Sequence, residues 1–154
     1  MPCARMRRPP TIPNPRELTV SRPIQRINPP QLFDSTANHH SQGSVVEAGK
    51  LAFFSGQVAW SPSCPSAPSS LAEQARMVTA NLQVCLDSVG ATRDDIAMAR
   101  IYVVDLTPER LGEAFPALGE FFGSSLPSLT GIGVQALAGP DLQIEIEMVV
   151  RVPS

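Results

Sequence analysis

The sequence predicts a single α+β domain: a mixed β-sheet with two helices on one face, in the order ββαβαββ. Two stretches with helical apolar spacing are separated by a strand, which calls for a sheet that helices can cover. Near the C-terminus Ile144, Ile146, Met148 and Val150 alternate with Gln143, Glu145 and Glu147, the period-two signature of a strand with one apolar and one polar side. A length of 154 residues with 43% apolar content suits one core.

Residues 1–26 hold six prolines and six arginines against the single acid Glu17, a net +5. Proline removes N–H donors and favours extended chain, so an arm or tail is expected there, neither helix nor central strand. This basic arm either binds an anion or lies on the body, residues 27–154, where six bases meet thirteen acids for a net −7.

The domain proper, 27–154, begins near Ile27. His39 to Gly49 reads as a strand, turning at Gly49-Lys50 into an antiparallel partner over Leu51 to Val58, a hairpin signal. Trp60 to Ser70 is rich in serine and proline, hence a loop. Ser70-Leu71-Ala72-Glu73 fits a capping box, and Leu71, Ala75, Val78, Leu82, Cys85/Leu86 and Val89 then form one helical face that Gly90 terminates, with Cys85 read as a small buried hydrophobe. Asp95 to Leu106 is the next strand. Thr107-Pro108-Glu109 opens a second helix with proline in its first turn; its apolar face is Leu111, Ala114, Phe115, Leu118, Phe121 and Phe122, and Pro116 should kink or delay it. Strands over Ser128 to Leu137 and Leu142 to Val152 close the domain as a hairpin around Ala138-Gly139-Pro140-Asp141. With both helices on one face, residues such as Phe53 or Phe54 leave apolar surface on the other, and such a surface suggests oligomerisation.

Several function classes fall away. No apolar run approaches the roughly 18 residues of a membrane span, and the N-terminus lacks the apolar core of a secretory signal, so a cytoplasmic protein is expected. Cys3, Cys64 and Cys85 are odd in number and widely spaced, with no CxxC pair, so neither a zinc site nor a thioredoxin-type motif is indicated and reduced thiols are expected. An acidic body does not suit nucleic-acid binding, which needs clustered lysine and arginine.

A set of short motifs, each weak alone, occurs in order along most of the chain: Ile27-Asn28-Pro29, Ser41-Gln42-Gly43, Phe54-Ser55-Gly56-Gln57, Glu73-Gln74-Ala75-Arg76, Asn81-Leu82, Tyr102-Val103-Val104-Asp105-Leu106, Gly133-Val134, Ala136-Leu137 and Ile144-Glu145-Ile146-Glu147. Together they resemble the Rid (YjgF) family. The resemblance implies a chorismate-mutase-like fold, a homotrimer, and small-molecule clefts between subunits. It also implies hydrolysis of enamines and imines without metal or organic cofactor. In the deaminase branch a Pro-Ala-Arg tripeptide supplies the arginine that forks onto the substrate carboxylate. Here that tripeptide is Pro127-Ser128-Leu129, and leucine can neither donate a hydrogen bond nor neutralise a carboxylate. Arg100 is either a substitute clamp or a paired structural arginine. Glu145 matches the glutamate that orients or activates water, with Glu147 the structural neighbour. Ser55 and Gly56 match ligand-contacting positions, and Gly131 and Gly133 allow close backbone approach. His40 stands where the family usually has tyrosine; it is either an acid or base near neutral pH or, with His39, a polar strand-edge residue. No third ligand at a convincing spacing accompanies the histidines, so no metal site is expected. The resemblance leaves two expectations open: a small-molecule enzyme without the carboxylate clamp, or a trimer that binds a ligand or partner without chemistry.

Overall fold

A computed structural model describes residues 24–154, so the arm expected over 1–26 lies outside the described residues except for its last three positions. The chain runs β1 (Ile24–Ile27), β2 (Gly43–Val46), β3 (Leu51–Gln57), α1 (Leu71–Ser88), β4 (Ile96–Val104), α2 (Pro108–Phe122), β5 (Ser128–Val134) and β6 (Ile144–Arg151). Short 3₁₀ turns fall at Thr36–Asn38 and Arg93–Asp95. The α+β class and the two-helix, mixed-sheet architecture match the expectation.

The helices begin and end where local chemistry dictates. The Ser70 hydroxyl accepts from the Glu73 amide at 3.4 Å, and Gly90, at φ +66°, follows the last turn of α1. Thr107 caps α2 through the Arg110 amide, with Pro108 in the first turn. Contrary to expectation, α2 runs through Pro116 without interruption. The bond proline forfeits is to the carbonyl of Gly112, an exposed residue with open space around it, so water can serve that carbonyl.

Strand pairing departs further from the sequence reading. The four-stranded sheet has the order β3-β6-β4-β5, and β1 and β2 form a separate antiparallel ribbon. The expected hairpin of 39–49 with 51–58 therefore does not form. Only Gly43–Val46 is a strand in that first segment, and it pairs with Ile24–Ile27. The expected closing hairpin is also absent, because β4 lies between β5 and β6. The physical reason is the helical crossover: β4-α2-β5 is a parallel unit, which puts β5 on one side of β4 and leaves the other for β6.

The ribbon is anchored to the sheet by Arg26, which donates to Ile96 O at 2.8 Å, Asp94 O at 3.0 Å and Ser44 Oγ at 3.1 Å. The Ser44 and Ser128 hydroxyls meet at 2.9 Å. The core lies between sheet and helices. Ile144, Ile146, Met148 and Val150 of β6 are all buried, facing Leu71, Val78, Leu82 and Phe122 of the helices. Glu145 and Glu147 consequently point to the uncovered face, where Phe53 is 75% exposed.

Candidate functional site

The candidate residues divide between the two faces of the sheet. On the uncovered face Glu145 pairs in register with Tyr102, and Glu147 with Arg100. A bulge in β3 between Phe54 and Gln57 brings Gly56 beneath the Glu145 carboxyl, which a Cβ at that position would overlap. Ser55 adjoins it within the bulge and is exposed. Arg100 Nη1 donates to Glu147 Oε1 at 2.6 Å, and Tyr102 Oη donates to the same oxygen at 3.1 Å. The Arg100 bond holds the Glu147 carboxyl below its ordinary range. Burial, then the bond to Glu147, pushes the Tyr102 phenol up. Arg100 is thus committed to Glu147. Glu145, by contrast, has no hydrogen-bond or ion-pair partner among the described residues. A hollow of about 420 Å³ on this face is lined in part by Phe53, Ser55, Met98, Arg100 and Glu147.

On the helix side Leu129 pairs with Ala99 and Gly131 with Ile101; Ala99 and Ile101 are buried, Leu129 is half-buried and Gly131 exposed. A pocket of about 330 Å³ opens there between β5, α2 and the turn at 38–40. Leu129, Gly131, Ile101, Leu111, Phe115, Leu118, Gly119 and Phe122 line it, with Asn38, His39 and His40. His40 is not on a strand; its Nδ1 lies 3.2 Å from Asn38 O, a bond within its own turn. His39 is held more firmly. Its Nδ1 lies 3.0 Å from Gly123 O and its ring packs 5.6 Å from that of Phe115.

The structure thus brings His40, Leu129 and Gly131 together, and separately Glu145, Ser55, Gly56 and Arg100. The sheet stands between the two groups. Asn81 plays no part in either: its amide donates to Val58 O at 2.8 Å and Trp60 O at 3.0 Å. From sequence His39 reads only as a polar strand-edge residue; the structure places it off any strand and packed against α2, through a left-handed backbone that no local motif announces. Leu111 and Phe115 were read only as a helix's apolar face, although they are 41% and 36% exposed and so spare for a ligand. Among the described residues no three His, Cys, Asp or Glu side chains are grouped to hold a metal ion, and no helix is long and apolar enough to cross a membrane.

Comparison with known proteins agrees with this fold. The family model described as Endoribonuclease L-PSP matches residues 33–152. A RutC family protein of Pyrococcus horikoshii is 26% identical over 107 residues, 68% of this chain and 82% of that protein. Among solved structures, the Rid-family protein YyfB of Yersinia pestis, of unknown function, superposes with a TM-score of 0.78 at 34% identity, covering 84% of this chain and 98% of its own. TdcF of E. coli, solved with bound serine, gives a TM-score of 0.58 at 25% identity, covering 75% and 88%.

Proposed function

Since the chain belongs to the Endoribonuclease L-PSP family, which takes in the Rid (YjgF) proteins, we propose that it forms a homotrimer with small-molecule clefts between subunits and hydrolyses an uncharged imine, enamine or related carbonyl compound. The observation that carries this reading is the contrast between two neighbouring carboxylates: Glu147 is consumed by Arg100, whereas Glu145 sits over a glycine with no partner of its own. A carboxylate kept free on a rigid strand suits general acid–base work. Glu145 would take a proton from water as the water oxygen bonds to the C=N carbon, and pass that proton to the nitrogen as the C=N π bond breaks. The hydroxyl proton of the resulting carbinolamine then passes through Glu145 to the nitrogen, the C–N bond breaks, and ammonia leaves as the C=O bond forms. No redox partner is required.

The trimer rests on two observations. Phe53 and Val45 are 75% and 55% exposed, apolar surface that asks for cover. A site holding both the Glu145 group and the His40–Leu129 group also needs two copies of the chain. The substrate class rests on Leu129. Serine, the ligand of TdcF, carries a carboxylate; burying one beside Leu129 without a cation is unfavourable, and Arg100 is already engaged. The net −7 of residues 27–154 disfavours contact with a phosphate backbone, so we favour a small-molecule substrate over RNA. Cys64 and Cys85 are free thiols, in keeping with a cytoplasmic setting.

The test is ammonium release from freshly generated imines, one of a neutral ketone and one of pyruvate, with Glu145→Gln as control. Wild-type protein should prefer the neutral imine, and the variant should lose about 10²-fold or more in turnover. Turnover that survives Glu145→Gln removes the catalytic assignment. A ligand that binds and is recovered unchanged points instead to a binding protein without chemistry. A stable monomer in native mass spectrometry overturns the trimer.

A further inference from the structure

We infer that His39, not the neighbouring histidine, anchors the ligand in the helix-side pocket, and that this pocket selects uncharged molecules with an apolar body and one N–H or O–H donor. The inference deepens the reading above, since it names what that site takes, but its evidence is separate from Glu145.

The backbone gives the first indication. His39 adopts φ +56°, ψ +31°, a left-handed conformation that non-glycine residues seldom take. Such strain persists where the surroundings over-determine it, and it is concentrated at ligand-binding and catalytic positions. Here the determinants are visible: the His39 amide donates to Thr36 O at 3.1 Å, and its ring is wedged against α2.

The ring supplies the chemistry. Gly123 O can only accept, so the bond at 3.0 Å requires the hydrogen on Nδ1. In the neutral imidazole Nε2 is then an acceptor with a lone pair. No described residue donates to it. Helix α2 makes room for this nitrogen by placing Gly119 beside it: a Cβ there would stand 3.1 Å from Nε2. An acceptor of fixed tautomer, set beside the pocket and lacking a donor, calls for a donor on the ligand. An imine or enamine N–H meets that need, and so does an enol O–H.

The rest of the wall defines the body of the ligand. Ile101, Leu111, Phe115, Leu118, Phe122 and Leu129 are all apolar, and no lysine or arginine lines the pocket. Its volume of about 330 Å³ lies at the lower end of small-molecule sites and suits a ligand the size of one ring. An anion entering it would lose hydration without gaining a counter-charge.

Three isosteric probes separate these claims: benzamide (neutral, with donor), acetophenone (neutral, without donor) and benzoate (anionic). They are titrated calorimetrically into the full chain at about pH 8.5, above the ordinary histidine range. Benzamide should bind most tightly, acetophenone about three- to tenfold more weakly for want of one hydrogen bond, and benzoate at least about tenfold more weakly than benzamide. His39→Asn, a residue that tolerates the left-handed turn, should bring benzamide to the level of acetophenone. Gly119→Ala should do the same by displacing Nε2 while keeping the helix and the His39 backbone. Leu129→Arg should reverse the order of benzamide and benzoate. Benzoate binding as tightly as benzamide to the wild type overturns the inference. So does an unchanged benzamide-to-acetophenone ratio in both the His39 and Gly119 variants, or failure of all three probes to bind. The hydrolase reading fails separately: the expected binding pattern with no turnover of any imine leaves the pocket assignment standing, and turnover that benzamide does not inhibit leaves the hydrolase standing without it.

Discussion

Replacing Gln74 with leucine tests how the Glu145 strand is held. Gln74 is fully buried on α1 and uses its whole amide. Its Nε2 donates to Pro68 O and Asp141 O, each at 2.7 Å, and its Oε1 accepts from the Gln143 amide at 2.8 Å. One side chain therefore ties the loop before α1 to the turn before β6. Gln143 extends the network, donating from its own amide to Ser69 O at 2.7 Å and accepting from Arg110 Nη2 at 3.0 Å. Leucine is of similar size but leaves two carbonyls and one N–H without their partner. At about 1 kcal/mol net per bond, the loss is about 3 kcal/mol, and more if water cannot reach the orphaned groups. For a chain of this length that corresponds to a melting temperature about 6–12 °C lower. Urea unfolding at fixed protein concentration reads it as a lower midpoint with unchanged slope. Because Gln143 lies two residues before Glu145, turnover should fall as well. A loss below about 1 kcal/mol would refute the reasoning, since it would mean that the network is not an anchor.

Gly56→Ala puts a methyl group where the Glu145 carboxyl sits, so either the strand or the carboxylate must move. Ammonium release should fall nearly as far as in Glu145→Gln, with an overpacking cost of about 1–3 kcal/mol in urea; full activity would mean that the carboxylate need not occupy that place. Glu147 makes an acid-side prediction. Its folded-state pKa is depressed by Arg100, so its contribution is present above the ordinary carboxylate range and lost as pH falls through the lowered value. Glu147→Gln should flatten that limb of the stability–pH curve, and salt should shrink the difference because the pair is part-exposed. Superimposable acid limbs for the two proteins would count against the pairing.

What was legible from sequence was what is encoded locally. Helix α1 could be read because the Ser70 cap, the apolar spacing and Gly90 all concern neighbours within a turn or two. The two sides of β6 could be read because alternation needs no partner. Partnership could not. Nothing in Gly43–Val46 distinguishes Ile24–Ile27 from Leu51–Gln57 as a mate, and a turn at Gly49-Lys50 permits a hairpin without requiring one. The site was half legible for the same reason. Motif matching singled out Glu145, Gly56 and Leu129 along the chain, but their separation onto opposite faces depends on sheet order. Arg100 could not be assigned from sequence because its partner lies 47 residues away. The position of His39 against α2 could not be read because it depends on a left-handed turn and on the absence of a side chain at Gly119.

The position of β6 also governs how the protein comes off the ribosome. Strands β3, β4 and β5 run parallel, and β6 inserts between β3 and β4 as their only shared neighbour. Until Ile144–Arg151 emerges, β3 has no partner in the main sheet and β4 keeps an open edge beneath two apolar helices. The nascent chain therefore carries unfinished sheet edges until β6 is made. Premature termination shortly before β6 would leave a split sheet instead of a trimmed one, so late nonsense changes should yield aggregates and not shortened, working protein.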